Sequence, residues 1–210
     1  MSLLSVVQNV ARAAGFEPPL SVVTNTDSTV SQVLYFVQRA GEEIARRGDW
    51  RNLRASTSFT SGITFPLPAG FHRLVPGGAV RFTGELEPMR GSLSPDEWRA
   101  LATAGTSARV FYRLSGSNIE FSRAITALES VSLDYMTDTW VRSGTTRVSA
   151  ITADADTFVF PERLLELNAL VRWKRQKGLP YKDEEAEFEA ALDNEFMADR
   201  GIRVEAGKAA

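Results

Sequence analysis

Asp154-Ala155-Asp156-Thr157-Phe158-Val159-Phe160-Pro161-Glu162 leads into a run that closes as Arg172-Trp173-Lys174-Arg175-Gln176-Lys177-Gly178-Leu179-Pro180-Tyr181. Between the two, Leu164, Leu167, Asn168 and Val171 recur at helical spacing, and Leu165, Leu170 and Trp173 widen the row. Acidic groups stand where the helix should begin and basic groups where it should end, the arrangement that a helix dipole favours. Pro161 suits the first helical position, since the amide it lacks would be unpaired there. Gly178 can take the positive φ that turns a chain out of a helix, and Leu179 is placed to fold back onto the last turn. The segment reads as a docking-grade structural element without catalytic equipment.

Helical period also governs both ends of the chain. Leu3, Val6, Val7, Val10, Ala11 and Ala14 give residues 2–14 one apolar stripe, with Gly15, Phe16 and Pro18-Pro19 as the stop. Residues 27–47 predict a longer helix with Val30, Val33, Leu34, Val37, Gly41, Ile44, Ala45 and Gly48 on its inner face; Asp27 or Ser28 caps it, and Arg46 and Arg47 complement its C-terminal end. A final helix is expected from about Asp183, with Phe188, Ala191, Leu192 and Phe196 as its stripe and Gly201-Ile202 as its stop.

From Arg54 to about Ile151 the period changes to two. Ile63, Phe65 and Leu67 alternate with Thr64, Pro66 and Pro68, which predicts an edge strand because proline cannot donate to a ladder. Val110, Tyr112 and Leu114 alternate, as do Ile119 and Phe121, and Ser115-Gly116-Ser117-Asn118 between them is hairpin punctuation. Val131, Leu133 and Tyr135 form another strand. Ser94-Pro95-Asp96-Glu97 is a capping box that starts one short helix, with Trp98 and Leu101 on a face. Short helices do not hold their apolar stripes out of water alone. The expected fold is therefore α+β: N- and C-terminal helix pairs pack into one bundle and hold an inserted antiparallel β-rich domain. The helical domain is discontinuous, 1–53 and 159–202; the insertion spans 54–158; residues 203–210 form a tail expected to be mobile.

Composition narrows the chemistry. With 210 residues, 43% of them hydrophobic and 24% charged, the chain can bury roughly 70% of its unfolded surface. Cysteine is absent, which removes disulfides, zinc–thiolate sites and a cysteine nucleophile. A net charge of −2 argues against the whole chain being a nucleic-acid binder but leaves room for a local basic patch. No apolar run reaches the roughly 18 residues of a membrane span, and Met1-Ser2-Leu3-Leu4 lacks the charged start of a signal peptide, so cytoplasmic synthesis is expected.

His72 is the single histidine, and no serine or acid partner is fixed by spacing, so it reads as a loop histidine and not as a base. Asp154, Asp156 and Glu162 lack the turn glycine and terminal ligand of a calcium loop and read as helix capping. Gly77-Gly78 is a turn without the Lys-Ser or Lys-Thr of a phosphate cradle. No catalytic, cofactor-binding or metal-binding residues are assigned. Trp50, Trp98, Trp140 and Trp173 read as core or interface anchors. Arg172, Lys174, Arg175 and Lys177 form a basic helix end beside an acidic helix carrying Asp183, Glu184, Glu185, Glu187, Glu189, Asp193 and Glu195. Complementary surfaces of that kind suit neighbours in a ring.

Taken in order, these motifs make the chain resemble the bacteriophage head-to-tail adaptor (connector) proteins, the group that includes tail tubular protein A-like connectors. The resemblance covers nearly the full length. It rests on the opening helix pair ending Arg46-Arg47-Gly48-Asp49-Trp50, on Pro95-Asp96-Glu97-Trp98 in the strand-rich middle, on residues 154–162 and 173–181, and on the acidic last helix. It implies a non-enzymatic virion protein, made in the host cytoplasm. Such proteins dock beneath the portal protein as a homo-oligomeric ring, typically dodecameric, receive a tail or nozzle protein on the other side, and pass double-stranded DNA through the lumen without sequence recognition. By that resemblance the helical part contacts the portal, and the end of the chain, with Ile202, Arg203 and Val204, reaches into its clefts. No membrane is involved. The alternative is a non-enzymatic β-domain binding module, for peptide or carbohydrate, on a helical scaffold.

Overall fold

The computed structural model describes residues 2–105 and 109–199. The chain divides into two compact units, one made of Met1–Leu53 with Asp138–Ala210 and the other of Arg54–Thr137.

The first unit brings both chain ends together. It contains α1 (Leu3–Ala14), α2 (Ser28–Arg47), α4 (Glu162–Gln176) and α5 (Lys182–Asp199). Helix α4 packs against α1, α2 and α5 at once. That explains why its buried residues, Leu164, Leu165, Asn168, Ala169, Leu170, Val171 and Trp173, surround much of the helix and do not form a narrow stripe. Helix α1 stops at Gly15, whose φ is 81°, and Phe16 lands 5.3 Å from the Trp173 ring. The same ending recurs on α4: Gly178 has φ 68°, its N–H donates to Arg175 O, and Leu179 N–H donates to Lys174 O at 2.9 Å.

A three-stranded sheet in the order β10, β8, β9 (Thr157–Phe158, Val141–Ser143 and Thr146–Val148) belongs to this helical unit. The β-rich insertion was expected to run to 158; residues 138–158 pack with the helices instead. The reason is an aromatic core. Trp140, only 1% exposed, stacks with Phe158 at 5.7 Å and Phe160 at 5.8 Å. Gly41 of α2 lets the indole lie against the helix, since a Cβ there would sit 2.2 Å from the ring. Phe160 and Phe196 then flank Trp50, whose Nε1 donates to Ile44 O. These rings join residues from both chain ends.

Asp154 and Asp156 do not cap α4, which begins at Glu162 with Pro161 one position ahead of the first helical residue. They serve α1 and its loop. Their backbone carbonyls accept the free amides of Leu3 (2.8 Å, Asp156 O) and Leu4 (3.1 Å, Asp154 O). The Asp154 carboxylate accepts Val22 N–H at 3.0 Å and Val23 N–H at 2.7 Å. The Asp156 carboxylate accepts the amides of Thr152 and Ala153; burial pushes its pKa up, but these donors outweigh burial and hold it below the ordinary value.

The second unit holds β1–β7 (Arg54–Phe59, Gly62–Pro66, Phe71–Leu74, Val80–Phe82, Tyr112–Ser115, Asn118–Ile125, Val131–Thr137) and α3 (Pro95–Ala104). Strand β7 pairs β1 along one side and β3 and β4 along the other; β2, β6 and β5 form a second antiparallel sheet with β2 at its edge, as Pro66 requires. Both sheets feed one core that includes Phe59, Val80, Tyr112, Ile119, Phe121, Ile125, Val131, Leu133 and Tyr135. Ser94 and Glu97 form the expected capping box on α3. Helix α3 buries no side chain; the Arg113 guanidinium covers the Trp98 ring at 4.6 Å. His72 is exposed and sits at a register shift in strand β3, not in a loop.

Candidate partner-binding site on the helical unit

Helices α2, α4 and α5 leave a cleft of about 490 Å³, lined by Tyr35, Phe36, Val171 and Phe188 together with charged side chains. Phe36 comes inward because α2 turns a wider face to α4 than its Val30–Val37 stripe suggested; Tyr35 stays 57% exposed at the mouth. Glu43 is the hub of the charged groups. It accepts Arg172 on Oε2 and Arg47 at 2.8 Å on Oε1. Arg172 also donates from Nε to Asn168 Oδ1 at 2.6 Å. Arg47 donates to both oxygens of Glu189 on α5, at 2.6 and 2.7 Å, and lies over the Phe188 ring. The Glu189 hydrogen bond, with help from Glu43, holds the Arg47 pKa above its ordinary value. This network ties α2 to both C-terminal helices. Glu43 and Arg47 stand four residues apart on α2, and that spacing was the signal in the sequence for the pair within the helix.

The basic cluster at the end of α4 is thus divided in use. Arg172 faces Glu43. Lys174 pairs with Glu184, which lowers the Glu184 pKa. Arg175 stacks over the Tyr181 ring at 5.4 Å and Lys177 over the Trp173 ring at 4.6 Å, and both remain exposed. Ile202, Arg203 and Val204 lie outside the described residues. On α5, Glu187 pairs with Arg163, so the acidic helix is held partly by ion pairs.

The cleft offers an apolar floor with mutually paired charges around it. That suits a partner's apolar side chains, and it holds no nucleophile–base pair. Among the described residues there is no group of three or more His, Asp or Glu able to hold a metal, and no helix long and apolar enough to cross a membrane.

A family model described as SU10 adaptor protein matches residues 1–208. The chain belongs to the SU10 adaptor family. No curated protein matches it. Family membership gives this adaptor a structural role in the phage. The α+β architecture, with both chain ends in one helical body, agrees with that resemblance.

Proposed function

We propose that this adaptor forms a ring beneath the portal, joins it to a tail or nozzle protein, and lets double-stranded DNA pass through its lumen without chemistry of its own. The observation that carries the reading is a family match over residues 1–208. The helical unit is the portal-facing body in this reading. Arg172 and Lys174 brace α4 against α2 and α5, while the exposed Arg175 and Lys177, with Ile202, Arg203 and Val204, meet the portal. A closed ring needs head-to-tail contacts between different patches of identical subunits, and twelve copies would let weak individual contacts add up.

Capture on purified portal rings tests this. Full-length protein should be retained, a chain ending at Asp199 should be retained much less, and light scattering should give a mass of portal plus about a dozen adaptor copies. Failure of the full-length chain to bind portal in any buffer would end the proposal.

A further inference from the structure

The geometry points to the β8–β9 hairpin as a phosphate-contacting element facing the DNA, an assignment that rests on the ring reading above. Arg142 and Arg147 are direct partners across β8 and β9. Directly opposed residues project on the same face, where like charges destabilise a strand pair. The alternation fixes which face. Val141 is fully buried and Val148 half-buried, while Arg142 and Arg147 are exposed. Neither strand, nor β10 on the other side of β8, contains an acidic residue that would offset the two charges. Arg147 donates to Asn52 O, which steadies its side chain, and Arg142 has no partner among the described residues. The tip between them is Ser143-Gly144-Thr145-Thr146, where Gly144 at φ 60° makes the tight turn.

The hairpin therefore presents two guanidinium groups and a hydroxyl-rich turn. These are donors of the kind that contact phosphate and sugar without reading sequence. A protein partner would be held by a buried aromatic or aliphatic anchor, and this exposed face has none. Contacts made of charge alone hold a duplex weakly enough to slide, as a conduit requires.

Binding of a random-sequence duplex to the adaptor, measured by fluorescence anisotropy from 25 to 200 mM salt, tests the assignment. Loss of two phosphate contacts, at about 0.9 each, should reduce the slope of log K against log salt by about 1.8 in the Arg142→Gln/Arg147→Gln protein. The Arg142→Lys/Arg147→Lys protein should keep the wild-type slope, which separates charge from folding defects. An unchanged slope in the Gln variant, or no duplex binding by wild type at low salt, would each overturn it. Portal capture should be the same for all variants. Capture that persists alongside an unchanged slope sinks only the hairpin assignment, whereas no capture by wild type sinks the ring reading itself.

Discussion

Replacing Gly41 by alanine should destabilise the helical unit, although glycine within a helix is ordinarily about 1 kcal/mol worse than alanine. The structure sets the opposing term. A Cβ at this position would lie 2.2 Å from two ring atoms of Trp140 and 2.5 Å from a third. Carbon atoms rest at about 3.5 Å or beyond, so the ring must retreat by more than about 1 Å. It has little room, being stacked between Phe158 and Phe160 and almost fully buried. Overpacking of this kind costs about 1–3 kcal/mol, occasionally more, and a rigid indole between two rings belongs at the upper end. Net of the helix gain, we expect a loss of about 1–2 kcal/mol, a drop of about 2–8 °C in the melting temperature for a chain of this size. Thermal melting followed by far-ultraviolet circular dichroism reads the change. A double-mutant cycle sharpens it: in a Trp140→Leu background the same Gly41→Ala change should become stabilising. If Gly41→Ala stabilises the wild-type protein, or if the sign does not reverse in the Trp140→Leu background, the packing argument is wrong.

Three further outcomes are expected. Asp154→Ala removes the acceptor from the Val22 and Val23 amides and should cost about 1–3 kcal/mol in denaturant unfolding, with faster amide exchange at those two positions. Arg172→Ala leaves Glu43 with Arg47 and a long contact from Asn168; because both ends of the lost pair are partly wet, denaturant unfolding should show a loss of about 1 kcal/mol, and Arg172→Lys should restore part of it. The Arg123 guanidinium, with the Thr126 amide, holds the Glu129 carboxyl down from 4.5 to about 2. A carboxyl depressed on folding stabilises the protein fully above its unfolded value and loses that contribution as pH falls through the folded one. Stability should therefore drain between pH 4.5 and 2, and Arg123→Gln should flatten that part of the curve in an acid titration of the fold.

The main architecture was legible because period and punctuation agreed. The stop signals at Gly15 and Gly178, the capping box at Ser94 and the hairpin at Gly116 are local chemistry, and each needs only its neighbours in sequence. What escaped were choices made by distant partners. Asp154 and Asp156 precede α4 by a few residues, so they read as its caps; the chain actually brings them to the start of α1, where the Leu3 and Leu4 amides need acceptors. Trp140 sits in a stretch of strand-like composition, and only the notch at Gly41 draws it and residues 138–158 to the helices. The Glu43 hub was invisible for a similar reason. Its partners Arg172 and Asn168 lie on α4, and neither side of the pair shows which of many charges will meet.

Because the helical unit is assembled from Met1–Leu53 and Asp138–Ala210, its first two helices leave the ribosome long before the helices that cover them. The β-rich unit between them, continuous in sequence and with its own core, is free to fold in the interval. A polypeptide released early by a stalled ribosome would carry an unclad α1–α2 pair and no α4 to complete the body. Such a fragment would leave the apolar stripes of both helices open to water, since the element that covers them is the last part of the body to be made.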